Sequence, residues 1–451
     1  MNGAAARTQG RTQARTRTRT RSGSRPVPPP HGLRLAIGRA ATALGQWLRR
    51  PLTSLHLVLG VFGLLTLFGL VMVLSASSVE SLTADGSTYS VFARQLMFCA
   101  PGLAMFWLGL RLSPRRLRAL APAALVVGAL SLVAVLFVGD TRNGSRAWFA
   151  LGSFSVQPSE AVKVALTLWG AHVLVVRRAV MHRWRYALSP VVPVTVVLLT
   201  LLVLQPDLGM TISLGIVMLA LLFFAGAPMS LMFALAGGAG AGAVILALSA
   251  DYRMSRITAF LSPESADPLR AGFQAQQALY SLADGGFLGV GLGQGRAKWS
   301  YLPNAHNDFI FAIVGEELGF LGAFAVLALF ATLAYTGFRI ATRTVDPWLK
   351  LVVATSTTWL VAQAAINISY VVGLLPVTGL QLPLISSGGT SLVVTMFVFG
   401  VLANAARHEP EAIAALQQQG QGRIARLLWL PPPQPYRAPV PRPPAQRGRV
   451  R

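Results

Sequence analysis

Apolar runs, most of them close to 20 residues long, recur along nearly the whole chain. They lie near 55–75, 91–110, 119–138, 158–176, 188–204, 208–226, 230–249, 309–338, 350–373 and 384–405. A helix of about 20 apolar residues crosses the ~30 Å hydrocarbon core of a bilayer. The expected fold is therefore all-α, a polytopic integral membrane protein with ten transmembrane helices. The composition agrees, since only 12% of the residues are charged, about half of what a soluble domain carries. One cysteine, Cys99, excludes an intrachain disulfide framework and a cysteine-based metal cluster.

The formal charge of +24 is concentrated at the two ends. Residues 1–50 hold 11 arginines and no acid, and residues 407–451 hold 8 arginines against Glu409 and Glu411. Both ends are of low complexity: Arg and Thr alternate from Arg15 to Arg21, and prolines crowd Pro431 to Pro444. Such segments bury too little apolar surface to fold. The expectation is a disordered basic cytoplasmic arm (1–50), a transmembrane domain (51–407) and a basic, Pro-rich, disordered cytoplasmic tail (408–451). Beside a membrane domain, basic segments point to anionic membrane lipids rather than nucleic acid. No short apolar stretch with a small-residue cleavage site follows the arm, so it is not read as a signal peptide.

Basic residues cluster in loops 111–118, 177–185 and 339–350, whereas loops 76–90 and 374–383 carry none. The positive-inside rule places the basic loops and both termini in the cytoplasm. Loops 140–157 and 250–308 then face outward, the second joining helices 7 and 8. Connections that long in compact proteins are commonly functional. This one carries Arg253, Arg256, Arg270, Arg296 and Lys298, which suggests a negatively charged partner outside the membrane.

With only 15 acids, each can be weighed. Ionisable groups within the hydrocarbon are expensive and are functional candidates. The segment Tyr301 to Phe311 ends the long outer loop and opens the eighth run, putting His306, Asn307 and Asp308 at the water–lipid boundary. A partly desolvated Asp308 suits a general base, and the competing reading makes Asn307 or Asp308 a helix N-cap. Glu316 and Glu317, about 12 Å further along that helix, are expected to pair with buried donors. Glu80 is read as an outer-loop residue without a distinctive setting.

In Gln157-Pro158-Ser159-Glu160-Ala161-Val162-Lys163, Pro158 marks a helix start. Lys163 either pairs with Glu160 at i−3 or, with Arg146 of the Asn143–Trp148 stretch, holds a phosphate. Asp207 is a turn residue or a ligand. Ser386, Ser387, Gly388 and Gly389 open the last run, where free backbone N–H groups could accept an anion or small residues could pack helices closely. Gly289, Gly291, Gly293 and Gly295 alternate, but no strand precedes them and no Gly-Lys-Ser/Thr follows, so they are not a nucleotide loop.

Four stretches, Gln277–Gly286, Gly289–Gly295, Tyr301–Gly319 and Leu382–Ser391, resemble the SEDS family (shape, elongation, division and sporulation) in order and spacing. The likeness spans roughly 55–405 and is strongest to the division branch. It implies a ten-span peptidoglycan glycosyltransferase that polymerises lipid II, carried on undecaprenyl diphosphate, at the outer face of the cell membrane. It further implies a class B penicillin-binding transpeptidase and other divisome membrane proteins as partners, at the division septum. By the same resemblance Asp308 is the essential catalytic acid, and Arg146 and Lys163 are implicated in activity. Glu160, His306, Asn307 and Ser386 to Gly389 join them as candidate substrate and diphosphate contacts. Relatives often have Thr at the position of Asn307, an aromatic at Ser387 and an acid at Ser300. A divalent cation (Mg or Mn, with unknown ligands) suits a diphosphate leaving group, and no nucleotide is expected. The rival expectations are a lipid II flippase and a non-enzymatic divisome scaffold.

Overall fold

The computed structural model describes residues 42–437, except 44, 49, 143, 153, 182, 185–187, 189, 249–259, 261–270, 300–301, 303–304 and 421. The expected basic arm up to residue 41, the end of the tail from 438 and much of loop 250–308 lie outside the described residues. Met1–Arg50 and Pro51–Arg451 are separate units, and only the second concerns us below.

That unit is a helical bundle with one small sheet. Its elements are α1 (Thr53–Asp85), α2 (Ser90–Arg111), α3 (Pro114–Val138), β1 (Asp140–Arg142), β2 (Ser145–Leu151), β3 (Phe154–Val156), α4 (Pro158–Val176), α5 (Val191–Leu204), α6 (Leu208–Phe224) and α7 (Met229–Leu248). They continue with α8 (Ala271–Gly285), α9 (Ile310–Arg343), α10 (Pro347–Val371), α11 (Gly389–Arg407), α12 (Pro410–Gln419) and α13 (Arg423–Leu427). Each apolar run of the sequence lies largely within one of these helices. Among the described residues seven helices (α1 to α4 and α9 to α11) are long and apolar enough to cross a membrane, α5 and α6 are shorter apolar helices, and α7 contributes the apolar stretch Met229–Gly242. The chain is a multi-pass membrane protein.

The helix starts are written locally. Proline occupies the first turn of α3, α4, α10 and α12, where its missing N–H costs nothing. Ser113, Asp207 and Asp346 cap α3, α6 and α10 by accepting from backbone N–H groups. Helices α10 and α11 are the most enclosed of the long apolar helices, and α10 has Trp348, Trp359 and Tyr370 wholly buried. Helices α2 and α11 approach closely: a Cβ on Gly109 would sit 2.6 Å from the Phe397 carbonyl oxygen. Phe62 of α1 stacks on Phe106 beside this seam at 4.3 Å.

Four features depart from the sequence expectations. Loop 140–157 is a three-stranded antiparallel sheet in the order β1-β2-β3, with Arg142 paired to Ser145 and Gly144 at φ 80° in the turn between them. Helix α1 runs on to Asp85, which puts Glu80 on a helix rather than in a loop. Helix α11 begins only at Gly389, so Ser386 and Ser387 precede it. Residues 410–427, expected to belong to a disordered tail, form α12 and α13. They are fastened by the ion pair of Arg343 with Glu411 (2.9 Å) and by the donation from Arg407 Nη2 to the Pro431 carbonyl (2.8 Å).

The alternating glycines also find their use. Helix α9 breaks at Gly319 (φ 65°), and the freed backbone groups bond to the glycine segment. Phe320 N–H donates to Gly286 O (2.9 Å), while Val290 and Gly291 N–H donate to Glu316 O and Glu317 O (both 3.0 Å). A Cβ on Gly289 would lie 2.6 Å from Gly319 N, so the glycines serve close backbone approach. Beneath this loop Glu316 Oε1 accepts from Arg296 N–H (2.5 Å) and Ala297 N–H (3.2 Å). Glu317 accepts from Ser75 Oγ (2.6 Å) and pairs with Lys298 Nζ (3.1 Å). Lys298, read from sequence as an outward cation for a partner, is instead buried and neutralised. Gly319→Ala is expected to cost ~1–3 kcal/mol through left-handed strain and to open the 286–299 segment to protease. An unchanged Tm and digestion pattern would show that this crossing tolerates a side chain.

Candidate functional site

A pocket of about 420 Å³ lies where α1 ends and α9 and α11 begin. Helix α9 runs 34 residues from there, about 50 Å at 1.5 Å per residue, to Arg343. Near that far end Arg339 Nε donates to Ser54 Oγ at the start of α1 (3.0 Å). The pocket and the arginine-rich end of the bundle are therefore opposite one another.

Three consecutive carbonyls hold the 306–308 segment in place. His306 O accepts from Ser387 N–H (3.0 Å), and Asn307 O accepts from Ser386 Oγ (2.7 Å). Asp308 O accepts from Asn367 Nδ2 (3.0 Å) and Tyr370 OH (2.8 Å), which sit one turn apart on buried α10. The same two side chains reach Leu380 O at 2.7 and 2.8 Å, tying the 379–388 loop to the segment. Neither Asn307 nor Asp308 caps α9: its N-cap is Phe309, without a side-chain cap bond. Asp308 is half-buried, and its Oδ2 would lie 4.0 Å from a Cβ on Gly379. Its neighbours His306 and Asn307 line the pocket, together with Ser387, Gly388 and Gly389.

Three of the four backbone N–H groups of the 386–389 stretch have protein acceptors, Ser386 N–H donating to Leu382 O (2.9 Å). Ser387 N–H goes to His306 O (3.0 Å) and Gly388 N–H to Gln95 Oε1 (3.2 Å). Ser386 Oγ goes to Asn307 O, so this stretch frames the site. Gln381 Nε2 completes the frame by donating to Asn307 Oδ1 (3.2 Å).

The pocket also gathers groups that sequence reasoning missed. Glu80 Oε2 meets His306 Nδ1 at 3.0 Å. Arg94 on α2 and Arg142 at the end of β1 bring two cations to the wall. The three come from separate elements, and no spacing rule joins them. The only available signal was that an Arg-rich hairpin and a charged helix start both flank outward loops.

The cations expected to hold phosphate are elsewhere. Lys163 is 1% exposed. It is paired with Glu160 Oε2 (3.0 Å), donates to Gln363 Oε1 (3.3 Å) and lies 4.6 Å from the Trp359 ring centroid. The i−3 carboxylate on the same helix face holds it inside the bundle. Arg146 is exposed, and its Nη1 donates to Leu136 O (3.2 Å). Neither borders the pocket described here. Asp207 is a turn residue that caps α6 and accepts from Gln157 Nε2 (3.0 Å); burial pushes its carboxyl above the usual range. Among the described residues no three His, Cys, Asp or Glu side chains come together to hold a metal ion. The pocket offers Glu80 and His306, which by themselves do not make a donor set for a resident divalent cation.

A family model described as "Cell cycle protein", covering FtsW, RodA and SpoVE, matches residues 55–411. The chain is 52% identical over 403 residues to "Probable peptidoglycan glycosyltransferase FtsW" of Mycobacterium tuberculosis, covering 89% of this chain and 77% of that protein. It is 40% identical over 362 residues to stage V sporulation protein E of Bacillus subtilis, covering 79% and 98%. Among solved structures it resembles the rod shape determining protein RodA of Thermus thermophilus (TM-score 0.59, 28% identity, 81% of this chain and 99% of that one). A chain from a peptidoglycan synthase complex that coordinates polymerization and crosslinking matches with a TM-score of 0.64 and 28% identity over the same shares. The continuous match over the whole bundle, the pocket-bearing segments included, makes the chain a member of the FtsW/RodA/SpoVE family of cell cycle proteins.

Proposed function

We propose that the chain is a peptidoglycan glycosyltransferase that polymerises lipid II on the outer face of the membrane during septal wall synthesis, beside a class B penicillin-binding transpeptidase. The observation that carries this reading is the 306–308 segment, its backbone held at three successive carbonyls beside a pocket with two arginines. Positioning of this kind suits a group that must meet a reacting hydroxyl in fixed geometry. The names of the relatives support the reaction class, and the opposition of pocket and arginine-rich end supports an outward site under the positive-inside rule.

In this reading Asp308 takes the proton of the acceptor sugar hydroxyl. The hydroxyl oxygen attacks the anomeric carbon of the donor chain. The bond from that carbon to the diphosphate oxygen breaks, and undecaprenyl diphosphate leaves with the electron pair. Purified chain with its transpeptidase, supplied with lipid II, is expected to produce glycan polymer. Absence of polymer together with transfer of lipid II across liposomes would replace this reading by a flippase. Absence of both, with the partner complex intact, would leave a scaffold.

A further inference from the structure

We propose that Arg142, at the end of β1, is a substrate-positioning residue that grips the diphosphate opposite Arg94. The inference rests on the glycosyltransferase reading and adds to it the residue that recognises the leaving group. Arg142 is held where it can act. Its Nε donates to Asp140 Oδ2 (3.1 Å), its Nη1 donates to Ser155 Oγ (3.0 Å), and its Cζ lies 5.7 Å from the Trp148 ring centroid. These contacts come from β1, β2 and β3, so the whole sheet orients one guanidinium. They engage Nε and one Nη1 proton, which leaves the other end of the fork for a ligand.

The sheet is itself anchored to the pocket frame. Thr390 Oγ1, in the first turn of α11, donates to Ser155 O (3.2 Å) and accepts from Gln157 N–H (3.1 Å). Ser145 Oγ donates to Gln205 O (2.6 Å). The distance between Arg142 and the Ser387–Gly389 wall is thereby fixed through a short chain of hydrogen bonds. Arg94 reaches the same 420 Å³ space from α2. Two guanidinium groups on separate elements match a ligand with two linked phosphates, since each fork binds phosphate oxygens in a planar, bidentate way. One arginine would suffice for a monophosphate. Asp140 pairs with Arg142, and Glu80 meets His306 and lies close enough to Arg94 to interact with its charge, so a diphosphate would share both arginines with these carboxylates.

The test uses the full chain with its transpeptidase in nanodiscs, and farnesyl diphosphate and farnesyl monophosphate as probes. Each probe is measured as an inhibitor of lipid II polymerisation and, without turnover, as a ligand that raises Tm. Arg142→Met is expected to weaken the diphosphate by about tenfold or more, the scale of a lost charge-assisted contact. The monophosphate should shift by less than about threefold, and Arg142→Lys should fall between wild type and Met. An Arg142→Met protein that binds both probes like wild type overturns the proposal. So does equal weakening of both probes with a lowered unliganded Tm, which marks a purely structural arginine. If wild type makes no polymer the glycosyltransferase reading fails by itself, and the Tm shifts still decide whether Arg142 recognises diphosphate.

Discussion

Asp308→Asn is expected to reduce lipid II polymerisation by about 10²–10⁴, the contribution typical of general-base catalysis, while the protein stays folded. The prediction separates the two halves of this residue. Its carbonyl is structural, bonded to Asn367 and Tyr370 on α10, and the substitution does not touch it. The carboxylate is half-buried beside Gly379, and an amide of the same size cannot take a proton from a sugar hydroxyl. Yield, Tm and association with the transpeptidase should therefore match wild type. Asp308→Glu should recover part of the activity, limited by a displacement of about one methylene, since small misplacements at a reacting centre are costly. Wild-type polymer from the Asn variant would remove Asp308 from the chemistry. Lost activity accompanied by a lowered Tm would show instead that the carboxylate supports the fold.

What could be read from the sequence follows the range of the interactions involved. The helices within the apolar runs, the Pro158 helix start and the Asp207 turn depend on neighbours within a few residues, and the structure has them. The His306–Asp308 segment could be singled out because a carboxylate at a membrane boundary is unusual wherever it is met. The pocket wall was not legible. Glu80, Arg94, Arg142 and Gln381 are brought together from four elements, and no local pattern distinguishes them from other charged or amide residues. Weighing loop cations by topology also misjudged Lys298, because its partner Glu317 lies one glycine loop and part of a helix away. Arg146 and Lys163 drew attention as cations suited to phosphate and through the family resemblance. A hairpin and a helix start turn them to different places, and the arginine that reaches the pocket is four residues upstream of Arg146.

Lys163→Met is the sharpest test of that distinction. Lys163 is fully enclosed, with Glu160, Gln363 and Trp359 around its ammonium. Removing it leaves Glu160 charged and buried without its cation, a change that costs about 3–5 kcal/mol in buried pairs. The expected result is a large fall in folded, detergent-stable protein, more than a loss of activity in protein that remains folded. Removing both charges should cost less than removing one. Glu160→Gln/Lys163→Met is thus expected to recover much of the lost Tm, because no charge is stranded and Gln363 and Trp359 remain to pack the site. A phosphate-binding lysine predicts the opposite pattern: a stable single variant with a raised KM for lipid II and no rescue by the second substitution. Thermal stability and polymerisation measured on the two single variants and the double variant decide between a strut and a ligand. The present geometry, in which every contact of the ammonium is internal to the bundle, favours the strut.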